Sequence, residues 1–208
     1  AELAILTVCN RGRDQCSDAI IQSLGDADPM SRASLLRCLA RAGGDQALQT
    51  IVAHLDDSHE VVKDEAVRLL ANWPDPAAGP YLKKLVGSEN ERYHVLAVRG
   101  LLRLARADEN NSCLNLVAEL WETARRVEEK KQVLGVLGTI SDPRALNLAL
   151  QAIDDPALTE EACAAAVAIA GGMSDGDQNV RRSALEQVVE RTKLDMTRTL
   201  AQKALADL

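Results

Sequence analysis

A short sentence recurs along this chain and limits its fold more than any other feature. "DEAVRLLANWPDPAAGPYLKKLV" begins at Asp64 and "KQVLGVLGTISDPRALNLALQAI" at Lys131. In the second copy Val133, Leu137 and Ile140 take the places of Ala66, Leu70 and Trp73. Between them, "LAVRGLLRLARADENNSCLNLVAEL" puts Ala97, Leu101 and Leu104 in the same slots. "SLLRCLARAGGDQALQTIVAHLDD" supplies Leu36 and Ala40 upstream, and "EACAAAVAIAGG" supplies Ala162, Ala166 and Ile169 downstream. Positions 36, 66, 97, 133 and 162 lie 30, 31, 36 and 29 residues apart. A period of this length marks a stack of small units, none of which can bury its apolar face alone.

Composition says what the units are made of. Apolar residues make up 47% of the chain, yet aromatics reach only 2% and Phe is absent, so Leu and Ala carry the burial. Both enter helices at little entropic cost, and alternating β-branched runs are missing. The chain reads as all-α, each unit being a helix, a turn and a second helix. Asp-Pro explains how second helices start, because Asp caps the free N–H groups and Pro fits the first helical position. Asp75-Pro76 and Asp142-Pro143 are read as such starts, and Asp45 as the cap of an equivalent helix without the Pro. Gly43, Gly44, Gly171 and Gly172 suit the turns that end first helices.

"GTISDPRALNLALQAIDDP" and the segment 64–88 resemble the HEAT-repeat superfamily, specifically the bacterial units called PBS-lyase-like HEAT repeats. The resemblance implies a right-handed α-solenoid, a superhelix of about six helix-turn-helix repeats plus a closing helix. The units are placed at 1–28, 29–57, 58–89, 90–125, 126–156 and 157–192, with 193–208 closing one continuous domain.

The net charge of −7 works against general attraction to phosphate backbones, so nucleic acid is not the expected partner. Residues 1–104 carry 12 basic and 14 acidic side chains, and residues 105–208 carry 12 and 17. No apolar run approaches the roughly 20 residues of a membrane span, and no secretory signal is visible. Five cysteines (Cys9, Cys16, Cys38, Cys113, Cys163) without a CxxC pair read as buried thiols of a reducing compartment, which points to the cytoplasm. The chain starts with Ala and is read as one module of a longer polypeptide.

Several clusters invite chemistry and are better explained by local structure. "HLDDSHE" gathers His54, Asp56, Asp57, His59 and Glu60, but Lys63 stands where a zinc-binding HExxH would need its second His. "DGDQNVRRSALE" places Asp175, Asp177, Asn179 and Glu186 at calcium-loop positions, with Val180 where the loop needs Gly. Both read as acidic helix starts, and no metal or cofactor is expected. "RRVEEKK" reads as a solvated helix start, and Trp73 as core. Arg99, Arg103 and Arg106 share one helix face, with Arg68 the repeat-equivalent of Arg99; solvated arginines are the ordinary reading.

No nucleophile with a base, no GxSxG and no phosphate-cradling glycine loop is present. The expectation is therefore a non-catalytic scaffold binding a protein or peptide segment. In the families resembled, second helices line the concave face, which places His54, Tyr81, Lys84, Arg144, Asn147 and Gln151 near the partner, continued by Glu119, Trp121 and Glu122. Two other readings stand beside it. One is an enzyme or enzyme subunit on similar repeats, as in bilin lyases or HEAT-like DNA glycosylases; the other is a structural spacer. The acidity and the few aromatics count against a DNA glycosylase.

Overall fold

A computed structural model describes residues 13–108, 113–173 and 178–208, with side chains from Ser17 onward. Every regular element among these residues is helical. The second helices are α1 (Arg13–Leu24), α3 (Asp45–Ala53), α5 (Gly79–Val86), α7 (Leu114–Thr123), α9 (Pro143–Gln151) and α11 (Gln178–Arg191). They alternate with the first helices α2 (Pro29–Ala42), α4 (Glu60–Ala71), α6 (Glu91–Arg106), α8 (Val127–Leu137) and α10 (Thr159–Gly172). A last helix, α12 (Asp195–Ala206), follows. The chain divides into two compact units, residues 1–101 and 102–208, at a point inside α6.

Burial shows the repeat register directly. Val62, Ala66, Val67, Leu70 and Trp73 are buried around α4, and Tyr93, Ala97, Val98, Leu101 and Leu104 take the same slots around α6. Glu129, Val133, Leu134, Leu137 and Ile140 follow around α8, then Leu158, Ala162, Cys163, Ala166 and Ile169 around α10. Each buried Leu or Val removes enough apolar surface from water to contribute about 2 kcal/mol. One sequence assignment needs correction. The buried pair Leu36 and Leu39 of α2 matches Val67 and Leu70, so Leu35, not Leu36, is the counterpart of Ala66. The starts of α2, α4 and α6 at 29, 60 and 91 agree, being 31 residues apart. Two adjacent leucines are interchangeable to a sequence comparison, and only packing separates them.

The caps follow the chemistry of each start. Asp28 and Asp142 accept backbone N–H groups of α2 and α9 as expected of Asp before Pro. Asp75 accepts from Ala77 N at 2.8 Å, but what it starts is a 3-10 turn, Pro76–Ala78, before α5. Pro80 has no N–H to donate to the carbonyl of Pro76, so the α-type ladder cannot begin there. Asp45 is not a cap either. It is the first residue of α3, behind Gly43 and Gly44 at φ 74° and 85°, and its charge faces the positive end of the helix. Glu129 corrects the reading of "RRVEEKK" as solvated: it is 1% exposed and accepts from the backbone N–H groups of Arg125 and Arg126 at 2.8 and 3.3 Å.

Neighbouring repeats are also joined by hydrogen bonds from one register position. In the first unit the Asp64 carboxylate accepts from the Tyr93 hydroxyl at 2.7 Å and from Arg92 at 2.5 Å. In the second unit Glu160, at the same place two residues before the Ala162 slot, accepts from the Thr192 hydroxyl at 2.6 Å and from Lys193 N at 2.8 Å.

Candidate interaction surface

The second helices bury one face and leave a polar row on the other. In α3, Ala47, Leu48 and Ile51 go inward, which turns Gln46 and Gln49 to solvent. Gln46 Nε2 donates to Asp18 of α1 at 3.0 Å. The Gln49 amide meets the Tyr81 hydroxyl of α5, with Nε2 at 3.1 Å and Oε1 at 3.3 Å. A line of exposed polar groups therefore crosses three successive second helices, α1, α3 and α5. Tyr81 is half-buried beside Leu82, and Lys84 stands one turn further along α5, exposed.

In the second unit, α9 buries Ala145, Leu146 and Ala149 and exposes Arg144, Asn147 and Gln151 on one face. Arg144 pairs with Asp142 at 3.3 Å. Burial raises the pKa of Asp142, yet the hydrogen bonds and charge of Arg144 outweigh it and hold the carboxyl below its usual range. On α7, Glu119 and Glu122 are exposed and one turn apart. Trp121 stands roughly 200° round the helix from Glu119, half-buried, with Lys130 Nζ of α8 5.2 Å from its ring centroid. His54 is set apart too: it ends α3, half-buried, with Nδ1 donating back to Thr50 O at 2.8 Å. The structure thus groups Tyr81 with Lys84, Arg144 with Asn147 and Gln151, and Glu119 with Glu122. Asp18, Gln46 and Gln49 are missing from the sequence reading. Exposed glutamines one turn apart on a second helix were the signal available for them.

The groups that catalysis would draw on hold local backbone. Asp57 accepts from His59 N at 2.9 Å and pairs with Arg32 at 3.0 Å. His94 is 1% exposed and its Nδ1 meets Val86 O at 2.7 Å. Burial, and then the charge of Glu160, push the Cys163 thiol up to about 11, far from a thiolate nucleophile. Burial likewise raises Cys113, and Cys38 is buried. Among the described residues no cluster of three or more His, Cys, Asp or Glu could share a metal ion. Asp175 and Asp177, Cys9 and the side chain of Cys16 lie outside the described residues. No described helix is long and apolar enough to cross a membrane.

The first helices carry the arginines. Corrected register puts Arg37, Arg68 and Arg99 in one slot, 31 residues apart, with Arg41, Asn72 and Arg103 one turn later. Glu65 accepts from Arg68 and pairs with Arg37 at 3.4 Å. Arg99 and Arg106 are exposed, and Arg103 is half-buried.

Comparison with known proteins bears on the fold. No protein of curated function matches the chain. A designed armadillo repeat protein matches with a TM-score of 0.57 and 21% identity, over 90% of this chain and 98% of the designed one. A second engineered protein, known from a crystal structure, matches with a TM-score of 0.55 and 20% identity, over 92% and 95% of the two chains. Both are likenesses of fold alone, the first to a designed repeat protein, in accord with an α-solenoid. The sequence pattern of HEAT repeats matches residues 2–71 and 17–102, and with the helix pairs, their register and these likenesses of fold it supports assignment to the HEAT-repeat superfamily.

Proposed function

We propose that the chain is a non-catalytic scaffold that binds a protein or peptide segment on its second-helix face. The observation that carries this reading is the line from Asp18 through Gln46 and Gln49 to Tyr81, in which solvent-facing side chains of successive repeats are already fixed by hydrogen bonds. Ordered side chains lose little entropy when a partner arrives. Amide groups with an aromatic ring and a lysine beside them suit a backbone and a mixed set of side chains. Arg144, Asn147 and Gln151 offer the same kind of row on α9.

The test is selection from a displayed peptide library against the native chain, with binders then measured on Tyr81→Ala/Lys84→Glu and on Arg144→Glu. Enriched peptides that lose tenfold or more in affinity to either variant support the reading, provided the thermal melts match. Enrichment without loss on either variant moves the surface elsewhere, and no enrichment favours a spacer.

A further inference from the structure

We infer that the cleft between α2 and α4, on the first-helix side, is a binding site for a phosphate monoester group. The cleft holds about 320 Å³ and is walled by Arg37, Arg41, Arg68, Asn72 and Trp73. Three of its lining residues are cations and none is an anion. Glu65 stands outside that lining, its side chain 11% exposed, and joins Arg37 at 3.4 Å to Arg68. Both guanidinium groups are thereby held in position before any ligand arrives, which lowers the cost of ordering them. Arg41 comes in from the last turn of α2. Asn72 is tethered through its Nδ2 to Arg68 O at 2.8 Å, and Trp73, 4% exposed, gives the cleft an apolar side.

The ligand class follows from charge and shape. Guanidinium N–H groups make charge-assisted hydrogen bonds to phosphate oxygens, and a monoester with three free oxygens can take such donors from all three arginines, those of Arg37 and Arg68 being shared with Glu65 and, for Arg37, with Ser34. A monoester carries a charge of about −1.5 to −2 near neutral pH, whereas a carboxylate brings one charge and two oxygens. The volume lies at the small end of ligand sites, enough for a phosphoryl group with a short carrier. A long polyanion is disfavoured by the net charge of −7. The inference is independent of the second-helix surface.

The test follows the side-chain Nε–Hε signals of arginine and the Trp73 indole signal in 1H–15N spectra of the whole chain at constant ionic strength. Inorganic phosphate, phosphoserine, a phosphoserine peptide and the same peptide with glutamate in place of phosphoserine are the probes. Saturable shifts at Arg37, Arg41, Arg68 and Trp73 are expected, with affinity rising as pH passes upward through about 6, where the second proton leaves phosphate. Arg68→Gln should weaken binding about tenfold, as loss of one charge-assisted fork would. Arg41→Gln, at an exposed position, should do the same without disturbing the fold. Tighter binding of the phosphopeptide than of free phosphoserine would assign the group to a modified protein; equal binding would assign it to a small molecule. Shifts that grow without saturating, equal binding of the glutamate peptide, or an equal loss in Arg99→Gln would overturn the site.

Discussion

The cleft between α2 and α4 and the groove between α8 and α10 occupy the same place in their repeats. The first is walled by Arg37, Arg41, Arg68 and Asn72. The second, of about 290 Å³, is walled at the corresponding slots by Gly135, Thr139, Ala164 and Ala168. The slots facing the core keep buried apolar side chains in both, Leu70 with Leu137 and Trp73 with Ile140. Core slots are bound by packing density and must be filled. The walls of the grooves touch solvent and are under no such demand, so this is where a repeat protein can vary its chemistry without altering its frame. One groove can hold an anion; the other is lined by small side chains, with Lys131 and Glu161 paired across it at 2.7 Å.

The sharpest way to break the comparison is to empty the equivalent core slots. Trp73→Ala should cost about 3–5 kcal/mol and Ile140→Ala about 2–5 kcal/mol, both measured by urea unfolding. If Trp73→Ala costs under 1 kcal/mol, Trp73 lines the cleft without contributing to the core, and the equivalence fails. Gly100 comes next. A Cβ there would lie 2.9 Å from Ala71 O and 3.0 Å from a Leu82 methyl group, so α6 reaches the end of α4 only because this residue has no side chain. Gly100→Ala should cost about 1–3 kcal/mol despite the better helix propensity of Ala. A gain in melting temperature would show that the approach is looser than described.

A smaller effect separates the inter-repeat hydrogen bonds of Asp64 and Glu160. The Thr192 hydroxyl, more than the opposing effect of burial, holds the Glu160 carboxyl below its ordinary value of 4.5. A depressed native value means that the stabilisation is complete above that ordinary pH and fades as pH falls through the native value. Glu160→Gln should therefore cost roughly 1 kcal/mol at pH 7, and the difference from the native chain should shrink on acidification below about 4.5. A difference that persists unchanged at low pH would mean that Glu160 acts by packing.

Much of this frame was legible in the sequence, because core slots obey a strict rule of polarity and spacing. The repeat, the helix pairs and the Asp142 cap each follow from residue type and position. The features that sequence does not reveal depend on partners distant in the chain. Gln46 pairs with Asp18, 28 residues away, and Gln49 with Tyr81, 32 away. Nothing local distinguishes these glutamines from solvated ones. Trp121 and Glu119 are close in sequence, yet helical geometry turns the two apart. Sequence alone pairs Arg68 with Arg99, while Arg37 comes into register only once packing decides between Leu35 and Leu36.

Gly135 gives the finest test, because it occupies the slot of Arg68 with no side chain at all. It is exposed in the interior of α8, where glycine is a poor helix former. The place of its absent Cβ is approached by Arg106 Nη2 at 3.4 Å, so the guanidinium of one repeat lies over the vacancy in the next. That contact is the far end of a flexible, exposed side chain, which can move by a few tenths of an ångström at little cost. Gly135→Ala should therefore stabilise the chain by about 0.5–1 kcal/mol, the ordinary gain of Ala over Gly inside a helix, seen as a rise in thermal midpoint. A loss of stability instead would show that Arg106 needs the vacancy. The second unit would then have kept its glycine to seat an arginine from the neighbouring helix, and the two grooves would differ less in charge than their wall residues suggest.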